Sequence, residues 1–205
     1  MKVTMTMNES LKETQSERFN NLASDWSNSD EAIRQAKKAV NVLGIQSGQS
    51  LLDVASGTGV ILHALKQLQI SPSHYLAMDI SSAMLEKLHT AFPEAETACA
   101  DFEQPFTCQR GFDYVLIYNS IPHFSNLDML FTNARRSLIP RGTFMIAHSR
   151  TRQGLKEHHQ HIGYTSERAP IPANEELSLL ADKYDFDQIS FADEEFFSFS
   201  CRSKG

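Results

Sequence analysis

Short apolar runs alternate along this chain with segments in which apolar residues recur at helical spacing. The runs that predict buried strands are Ser50–Val54, Tyr75–Asp79, Thr97–Ala100, Phe112–Tyr118 and Thr143–Ala147. The segments that predict helices are Asp30–Leu43, Val60–Gln69, a segment that begins at Ser81 or Ser82, and Leu127–Leu138. This alternation is typical of an α/β fold with a mainly parallel sheet.

The pattern changes after the fifth predicted strand. The stretch from Arg150 to Pro172 is polar and shows no long period, so we interpret it as a lid or an insertion. A predicted helix, Glu175–Tyr184, precedes two β-rich runs, Phe186–Phe191 and Glu195–Arg202. The connection between these two runs is too short for a parallel crossover, so they are predicted to pair antiparallel as a closing hairpin.

The composition and charge of the chain argue against several classes of protein. The chain has 205 residues, 41% of them apolar, and a net charge of −6, which disfavours a nucleic-acid binder. The start of the chain is polar and no apolar run approaches the ~20 residues of a membrane span. Its three cysteines form no paired motif, which indicates free thiols in the cytoplasm; Cys99, inside a predicted strand, is expected to pack in the core.

The most informative segment is Asp53-Val54-Ala55-Ser56-Gly57-Thr58-Gly59. An apolar strand ends in an acidic residue and continues into a turn of small residues that opens a helix. Small residues let the backbone approach a ligand closely, and the helix N-terminus presents unpaired N–H groups. In a doubly wound sheet, this first turn lies where a nucleotide binds. By itself, the pair of glycines is also compatible with an ordinary strand-to-helix turn.

Two further acidic residues support the interpretation of this segment as a nucleotide site. Asp79 ends the second predicted strand, twenty residues after Gly59, where a carboxylate can accept hydrogen bonds from ribose hydroxyls. Asp101 follows the third strand, and Phe102 next to it can flank an adenine. The third glycine of a dinucleotide motif is replaced by Leu62, and a phosphate-loop lysine is absent. An acid at position 53 repels a pyrophosphate but suits a ligand with an ammonium group, which favours S-adenosylmethionine.

At this point the chain resembles the class I S-adenosylmethionine-dependent methyltransferases, nearest to the small-molecule, type 11 enzymes of ubiquinone and menaquinone biosynthesis. Asp53–Gly59 is similar to the first motif of that family, with Ala55 where many members have glycine. The other segments that carry the resemblance are Phe19–Trp26, Ala77–Ser81, Ala100–Phe102, Phe112–Asn119 and Ala134–Thr143.

The resemblance implies a Rossmann-like, doubly wound, seven-stranded sheet that is parallel except for an antiparallel last strand. It also implies one methyltransferase domain over 1–205, with N-terminal cap helices (1–45), a cofactor-binding core (46–148), a lid or insertion (149–173) and a closing helix with a hairpin (174–205). The residues expected to bind the cofactor are Trp26, Asp53, Ala55, Ser56, Gly57, Gly59, Asp79, Ile80, Asp101, Phe102 and Asn119.

Candidates for the acceptor side follow the fourth and fifth strands. His123 is a candidate general base and equally a partner for a loop carbonyl; His148 is a candidate to contact the substrate or to act as base. Arg150 either binds an acidic substrate group or is solvated. His158 and His161 share a face if their segment is helical and are weak metal candidates, against the alternative of a polar lid.

The expected function is methyl transfer to a small molecule, without nucleic acid and without a membrane span, in a protein that can form a homodimer. Two alternatives remain open from the sequence. One is a regulatory module that binds S-adenosylmethionine without catalysis. The other is an NAD-dependent oxidoreductase, which the missing third glycine disfavours.

Overall fold

The computed structural model of the chain describes residues 7–163 and 169–205. Within these residues, seven strands form one sheet in the order β3-β2-β1-β4-β5-β7-β6. The strands are β1 (Ser50–Val54), β2 (His74–Asp79), β3 (Glu96–Cys99), β4 (Phe112–Tyr118), β5 (Leu138–His148), β6 (Phe186–Asp193) and β7 (Phe197–Ser203). All neighbours pair parallel except β7, which is antiparallel to both β5 and β6. The predicted fold class, with a reversed last strand, is therefore confirmed.

Helices connect and cover these strands. They are α1 (Met7–Leu22), α2 (Asp30–Leu43), α3 (Val60–Gln67), α4 (Ser82–Ala91), α5 (Leu127–Ser137), α6 (Arg152–His161) and α7 (Asn174–Lys183), with a 3₁₀ turn at Ile121–His123. Local signals in the sequence explain their ends. Ser29 caps α2 by accepting from the Ala32 N–H, and Gly44 ends it in the left-handed conformation.

The core lies on both faces of the sheet because side chains of a strand point alternately to opposite sides. In β4, Val115 and Ile117 face the cluster that contains α5 and α7, whereas Leu116 and Tyr118 face the cluster that contains α2 and α3. This mostly apolar strand, whose second half is buried on both faces, forms the centre of the sheet, as its composition predicts.

Two predictions differ from the structure in the middle of the chain. β5 begins at Leu138, before the predicted start of this strand at Thr143, and within the added part Arg141 has a φ of 67° where the register between β4 and β5 shifts. Cys99 is exposed rather than packed in the core, because β3 is an edge strand whose outer side has no neighbour. The core prediction for Cys99 was wrong for this reason.

The segment interpreted as a lid or insertion, 149–173, contains a helix that its pattern did not reveal. In α6, Leu155 is the buried residue, so the sequence shows no apolar repeat that could predict a helix. Thr151 caps this helix by accepting from the Gly154 N–H at 3.0 Å. Residues 164–168 of the predicted lid and residues 1–6 of the predicted cap lie outside the described residues.

Candidate active site

A cleft of about 830 Å³, a volume that includes its open mouth, lies at the carboxyl ends of the central strands. It is lined by residues of α1, β1, β2 and α4, of the segment after α1, and of the loops that follow β1, β2, β3 and β4. They are Gln15, Phe19, Trp26, Val54, Ala55, Gly57, Met78, Asp79, Ile80, Met84, Ala100, Asp101, Phe102, Glu103, Asn119, Ser120, His123 and Phe124. Loops at this edge of an open α/β sheet are where ligands bind.

The turn after β1 exposes its backbone to the cleft. Ala55 and Gly57 have φ values of 57° and 54°, in the left-handed region that a side chain disfavours. A Cβ built on Gly57 meets nothing within 4 Å, so this part of the turn faces open space. The hydroxyl oxygen of Ser56 is buried without a hydrogen-bond partner, although Ser56 is not among the lining residues. An exposed backbone beside an unused polar atom fits a polar ligand.

Asp79 links the end of β2 to the glycine turn. One of its carboxylate oxygens accepts from the Gly57 N–H at 2.8 Å and the other accepts from the Ser81 N–H at 2.9 Å. Burial raises the pKa of Asp79, while these backbone donors oppose that rise. The carboxylate is therefore held in one orientation at the cleft. Each oxygen keeps a second lone pair that a ribose hydroxyl can use.

The far end of the cleft is apolar with one fixed acid. Asp101 accepts from the Glu103 N–H at 2.8 Å, and Phe102 beside it is buried. Met78, Ile80 and Met84 contribute further apolar surface to the lining. Apolar walls around a single polar group fit a flat heterocycle with an exocyclic amine.

The N-terminal helix covers this half of the cleft. Ser16 donates from its hydroxyl to the Ile80 carbonyl at 3.0 Å, and Ser81 donates to the Asn20 side-chain oxygen at 2.6 Å. Trp26 lines the cleft and remains 47% exposed. Lys87 fixes the segment after α1 by donating to the carbonyls of Ser24 and Trp26, at 2.7 and 3.1 Å.

Besides Ser56, two further residues expected at the cofactor are not among those that line the cleft. Asp53 is fully buried under the turn, where its carboxylate accepts a hydrogen bond from the Tyr75 hydroxyl. Burial, opposed by this bond and reinforced by the charge of Asp79, raises the pKa of Asp53 to about 7. Gly59, with a φ of 88°, packs against α4; its Cβ position is 3.1 Å from Leu88. Neither residue is among those that line the cleft.

Asn119 ties the ends of β4 and β5 together at the cleft. Its N–H donates to the Ala147 carbonyl at 2.9 Å, and its side-chain oxygen accepts from the Ser149 N–H at 2.7 Å. Its φ of 59° is in the left-handed region, which asparagine tolerates better than most residues. The structure therefore gives Asn119 a structural role at the position where the sequence predicts cofactor contact.

The two predicted catalytic histidines differ in their access to the cleft. His123 lines it and packs edge-on against Phe19, with ring centroids 5.1 Å apart. His148 is buried at the end of β5, outside the lining, and its Nδ1 accepts from the Arg150 N–H at 3.0 Å. Burial, aided by nearby positive charge, lowers the pKa of each histidine to about 4, so both are neutral at pH 7.

A third histidine, His159, belongs to the same run as the metal candidates His158 and His161 and acts on this pair through its charge. His159 of α6 lies near enough to His123 and His148 for its charge to lower the pKa of both. His158 and His161, the metal candidates, are half-buried and exposed respectively. Among residues 7–163 and 169–205, no group of three or more His, Cys, Asp or Glu side chains could hold a metal ion.

Two other lining residues, Gln15 and Glu103, carry no signal in the sequence, whereas Phe19 opens the segment that resembles the N-terminal element of the family. Phe19 and Gln15 belong to α1, a helix with little apolar periodicity, and they reach the cleft only because α1 folds over α4. Glu103 follows the predicted third strand, where its carboxylate accepts from Ser125 at 2.8 Å and also from Asn126. These contacts join distant parts of the chain, so spacing along the sequence cannot reveal them.

The mostly parallel sheet with its reversed last strand has the Rossmann-like fold of known methyltransferases. In agreement, residues 52–146 match the protein family described as "Methyltransferase domain", which confirms the class that the motifs predict. Curated protein sequences yield no match to the chain.

Solved structures share the fold at low sequence identity. A Haemonchus contortus phosphoethanolamine N-methyltransferase 2, bound to phosphomonomethylethanolamine and S-adenosylhomocysteine, is 17% identical with a TM-score of 0.65; the match covers 84% of this chain and 53% of that one. The chain thus spans about half the length of that enzyme. A Haloferax volcanii protein in complex with the Trm112 methyltransferase activator is 14% identical, with a TM-score of 0.71 and coverage of 91% and 98%.

A third similar structure is a Thermotoga maritima SAM-dependent methyltransferase, 16% identical, with a TM-score of 0.65 and coverage of 93% and 95%. In all, 1048 solved chains match this fold. A fold this common does not identify the methyl acceptor, because the acceptor is recognised by the residues of the site and not by the fold. None of the helices in the described part of the chain has the length and hydropathy to cross a membrane.

Proposed function

We propose that this protein transfers the methyl group of S-adenosylmethionine to a small-molecule acceptor by in-line displacement. The observation that carries the proposal is the convergence of Gly57, Asp79 and Asp101 on one cleft. These residues lie at or after the carboxyl ends of three different strands. The hydrogen bond from the Gly57 N–H to the Asp79 carboxylate fixes the positions of two of them relative to each other.

The residues present fit the adenosyl part of this cofactor. Asp79 offers fixed carboxylate lone pairs for the ribose hydroxyls. Asp101 and Phe102 offer an acceptor and an apolar wall for adenine, and the exposed turn at Gly57, with the unused hydroxyl of Ser56 close by, serves the amino-acid part. When bound, the cofactor supplies a methyl group already activated by a positively charged sulfur.

The protein's own task is then to position the acceptor and exclude water. Rate enhancement in such a displacement comes mainly from holding the reacting atoms in line at about 3 Å. Asn119 fixes the ends of β4 and β5 beside the cleft, and His123 offers a neutral ring to the acceptor side. α1, held to Ile80 and Ser81, covers the cofactor half of the site.

The surroundings of the cleft support a small acceptor. The cleft is partly enclosed by α1. The net charge of the protein is −6, which disfavours a nucleic acid as the acceptor. The three free cysteines support a cytoplasmic enzyme. A homodimer remains part of the proposal, with the exposed face of the terminal hairpin as its surface.

Calorimetric titration with S-adenosylhomocysteine tests the cofactor half of the proposal. We expect binding in the micromolar range, and no binding up to 1 mM would exclude it. Titration with NAD distinguishes the oxidoreductase alternative. Incubation with methyl-labelled cofactor and a small-molecule extract tests catalysis; binding without any labelled product would favour the regulatory module.

A further inference from the structure

The loop that follows β3 carries the two residues proposed to recognise adenine, Asp101 and Phe102. The chain leaves the sheet after Ala100, whose N–H donates to the Asp79 carbonyl at 3.0 Å. Because β3 is an edge strand, the sheet offers the loop no second strand to pair with. Contacts outside the sheet must therefore fix the direction of the Asp101 carboxylate, on which recognition of an exocyclic amine depends.

Glu103 supplies such contacts with its backbone and its side chain together. Its N–H donates to the Asp101 carboxylate at 2.8 Å, so the position of the Glu103 backbone sets the direction of that carboxylate. One oxygen of the Glu103 side chain accepts from the Ser125 N–H at 2.8 Å, from the Ser125 hydroxyl at 3.1 Å and from the Asn126 N–H. Glu103 is only 5% exposed, and three donors on one oxygen hold its buried carboxylate in place.

The residues that hold Glu103 belong to a firmly packed part of the molecule. Asn126 caps α5 by accepting from the Met129 N–H at 3.0 Å, and Leu130 and Phe131 of α5 are fully buried in the core. The start of α5 lies 22 and 23 residues beyond Glu103 along the chain. The loop after β3 is thus anchored to a distant helix.

A second polar side chain of α5 holds the same loop from inside the molecule. Asn133 is fully buried; its amide nitrogen donates to the carbonyls of Phe102 and Gln104, both at 2.7 Å, and its oxygen accepts from the Phe106 N–H at 3.3 Å. Buried polar groups are costly unless they are bonded. The Asn133 amide therefore favours the one loop conformation that satisfies it.

We propose that Glu103 is a positioning residue for the base of the cofactor. Its anchor on Ser125 and Asn126 holds the Asp101 carboxylate in the direction that accepts the exocyclic amine of adenine, and Asn133 supports the same loop. The preference of the site for an amino-purine over an oxo-purine then depends on Glu103 through its bonds to protein groups. This inference rests on the proposed function, because it requires the adenosyl group to lie beside Asp101.

Binding of two ligands that differ in the base tests this. S-adenosylhomocysteine carries an exocyclic amine, whereas S-inosylhomocysteine carries an oxygen in that place, which a carboxylate repels. By calorimetry, we expect the wild type to bind the adenosyl compound at least about tenfold more tightly. Equal binding of the two would overturn the inference. Failure of S-adenosylhomocysteine itself to bind would instead overturn the proposed function.

Three substitutions separate the anchor of Glu103 from its charge. Glu103→Gln keeps an oxygen for the same donors, so it should retain the wild-type selectivity within about twofold. Glu103→Asp keeps the charge but is one methylene shorter, and Glu103→Ala removes both; each should reduce the selectivity to less than about threefold. Full selectivity in Glu103→Ala would overturn the inference. If Glu103→Gln lost as much as Glu103→Ala, the charge would act on the ligand itself and the inference would be wrong.

Asp113 supplies a matched control outside the lining of the cleft. One oxygen of its carboxylate accepts from the Ser50 N–H at 2.8 Å and from the Ser50 hydroxyl at 2.6 Å, the same two donors that Ser125 offers to Glu103. Asp113 lies near the amino end of β4. Asp113→Ala should therefore lower the melting temperature, as Glu103→Ala does, and leave the selectivity unchanged. A parallel loss of selectivity would show that destabilisation alone is responsible and would overturn the inference.

Amide hydrogen exchange without any ligand gives an independent readout, which also serves if Glu103→Ala binds both compounds too weakly to compare. The N–H groups of Glu103 and Gln104 both donate to Asp101. In Glu103→Ala their exchange should become at least about fivefold faster while the amides of β1 keep their wild-type rates, and Glu103→Gln should exchange like the wild type. Unchanged exchange of this loop in Glu103→Ala would overturn the inference.

Discussion

The Tyr75 hydroxyl on β2 donates a hydrogen bond to the Asp53 carboxylate on β1, and both residues are buried beneath the glycine turn. The two strands are in parallel register, with Leu51 opposite Tyr75 and Asp53 opposite Ala77. The long tyrosine side chain therefore reaches two positions along β1. The acid that opens the first motif is thus held beneath the glycine turn, outside the lining of the cleft.

Asp53 should make the stability of the protein depend on pH. Its folded-state pKa of about 7 exceeds the unfolded value of 3.8, so the folded protein binds the extra proton. This contribution to stability is complete below pH 3.8 and is lost as pH rises through 7. Asp53→Asn keeps an acceptor for the Tyr75 hydroxyl but cannot titrate. The free energy of unfolding of this variant should therefore fall less between pH 5 and pH 8 than that of the wild type, by on the order of 2–3 kcal/mol.

Denaturant unfolding of both proteins at these two pH values measures that difference. If Asp53→Asn lost stability with pH as steeply as the wild type, the raised pKa would belong to another group. Tyr75→Phe is the companion variant. It removes the hydrogen bond that lowers the Asp53 pKa, so it should make the loss of stability with rising pH persist to higher pH.

Asp79→Asn should weaken cofactor binding while the fold persists. The carboxylate already accepts from Gly57 and Ser81, and its remaining lone pairs are the proposed partners of the ribose hydroxyls. Loss of a charged acceptor costs about 1.5–3 kcal/mol, or roughly 10- to 150-fold in Kd. Calorimetry with S-adenosylhomocysteine measures this, and thermal unfolding controls for folding. Unchanged affinity would mean that the ribose lies elsewhere.

Gly57→Val should abolish cofactor binding because the new side chain enters the cleft. Gly48 supplies a matched control. Both glycines have positive φ, 54° and 89°, and in both a Cβ meets nothing within 4 Å. Only Gly57 lines the cleft. Gly48→Val should therefore lower the melting temperature through the same backbone strain and leave affinity unchanged; equal effects on affinity would show that strain, not steric block, is responsible.

His148 should be a neutral Nε2–H tautomer over the physiological range. Its Nδ1 accepts from the Arg150 N–H, and burial lowers its pKa from 6.5 to about 4. This residue contributes stability above pH 6.5 that is lost as pH falls through 4. Nitrogen-15 NMR of the imidazole measures both properties. A proton on Nδ1, or a midpoint near 6.5, would contradict the arrangement.

The local patterns of the chain were sufficient for the central sheet. The run Phe112–Tyr118, apolar or aromatic except for Asp113, predicts a strand buried on both faces, and it lies in the middle of the sheet. Apolar periodicity did not predict a helix where the helix buries few apolar side chains. Only Leu155 is buried in α6, so ten residues of helix appear as a polar insertion.

The same contrast holds for the site. Gly57, Asp79 and Asp101 were recognisable because each follows a predicted strand, and parallel strands bring their carboxyl ends to one edge. Asp53 and Gly59 belong to the same motif but lie behind the turn, where one bonds Tyr75 and the other packs on Leu88. A motif identifies neighbours along the chain and does not tell which of them face the ligand.

By itself, the sequence determined the fold class, the position of the glycine turn and the type of chemistry. These features depend on local composition and on periodicity within short segments. Only the tertiary structure decided that His123 lines the cleft whereas His148 is buried outside its lining. That difference depends on packing between distant segments, such as Phe19 of α1 against the His123 ring, which no local pattern records.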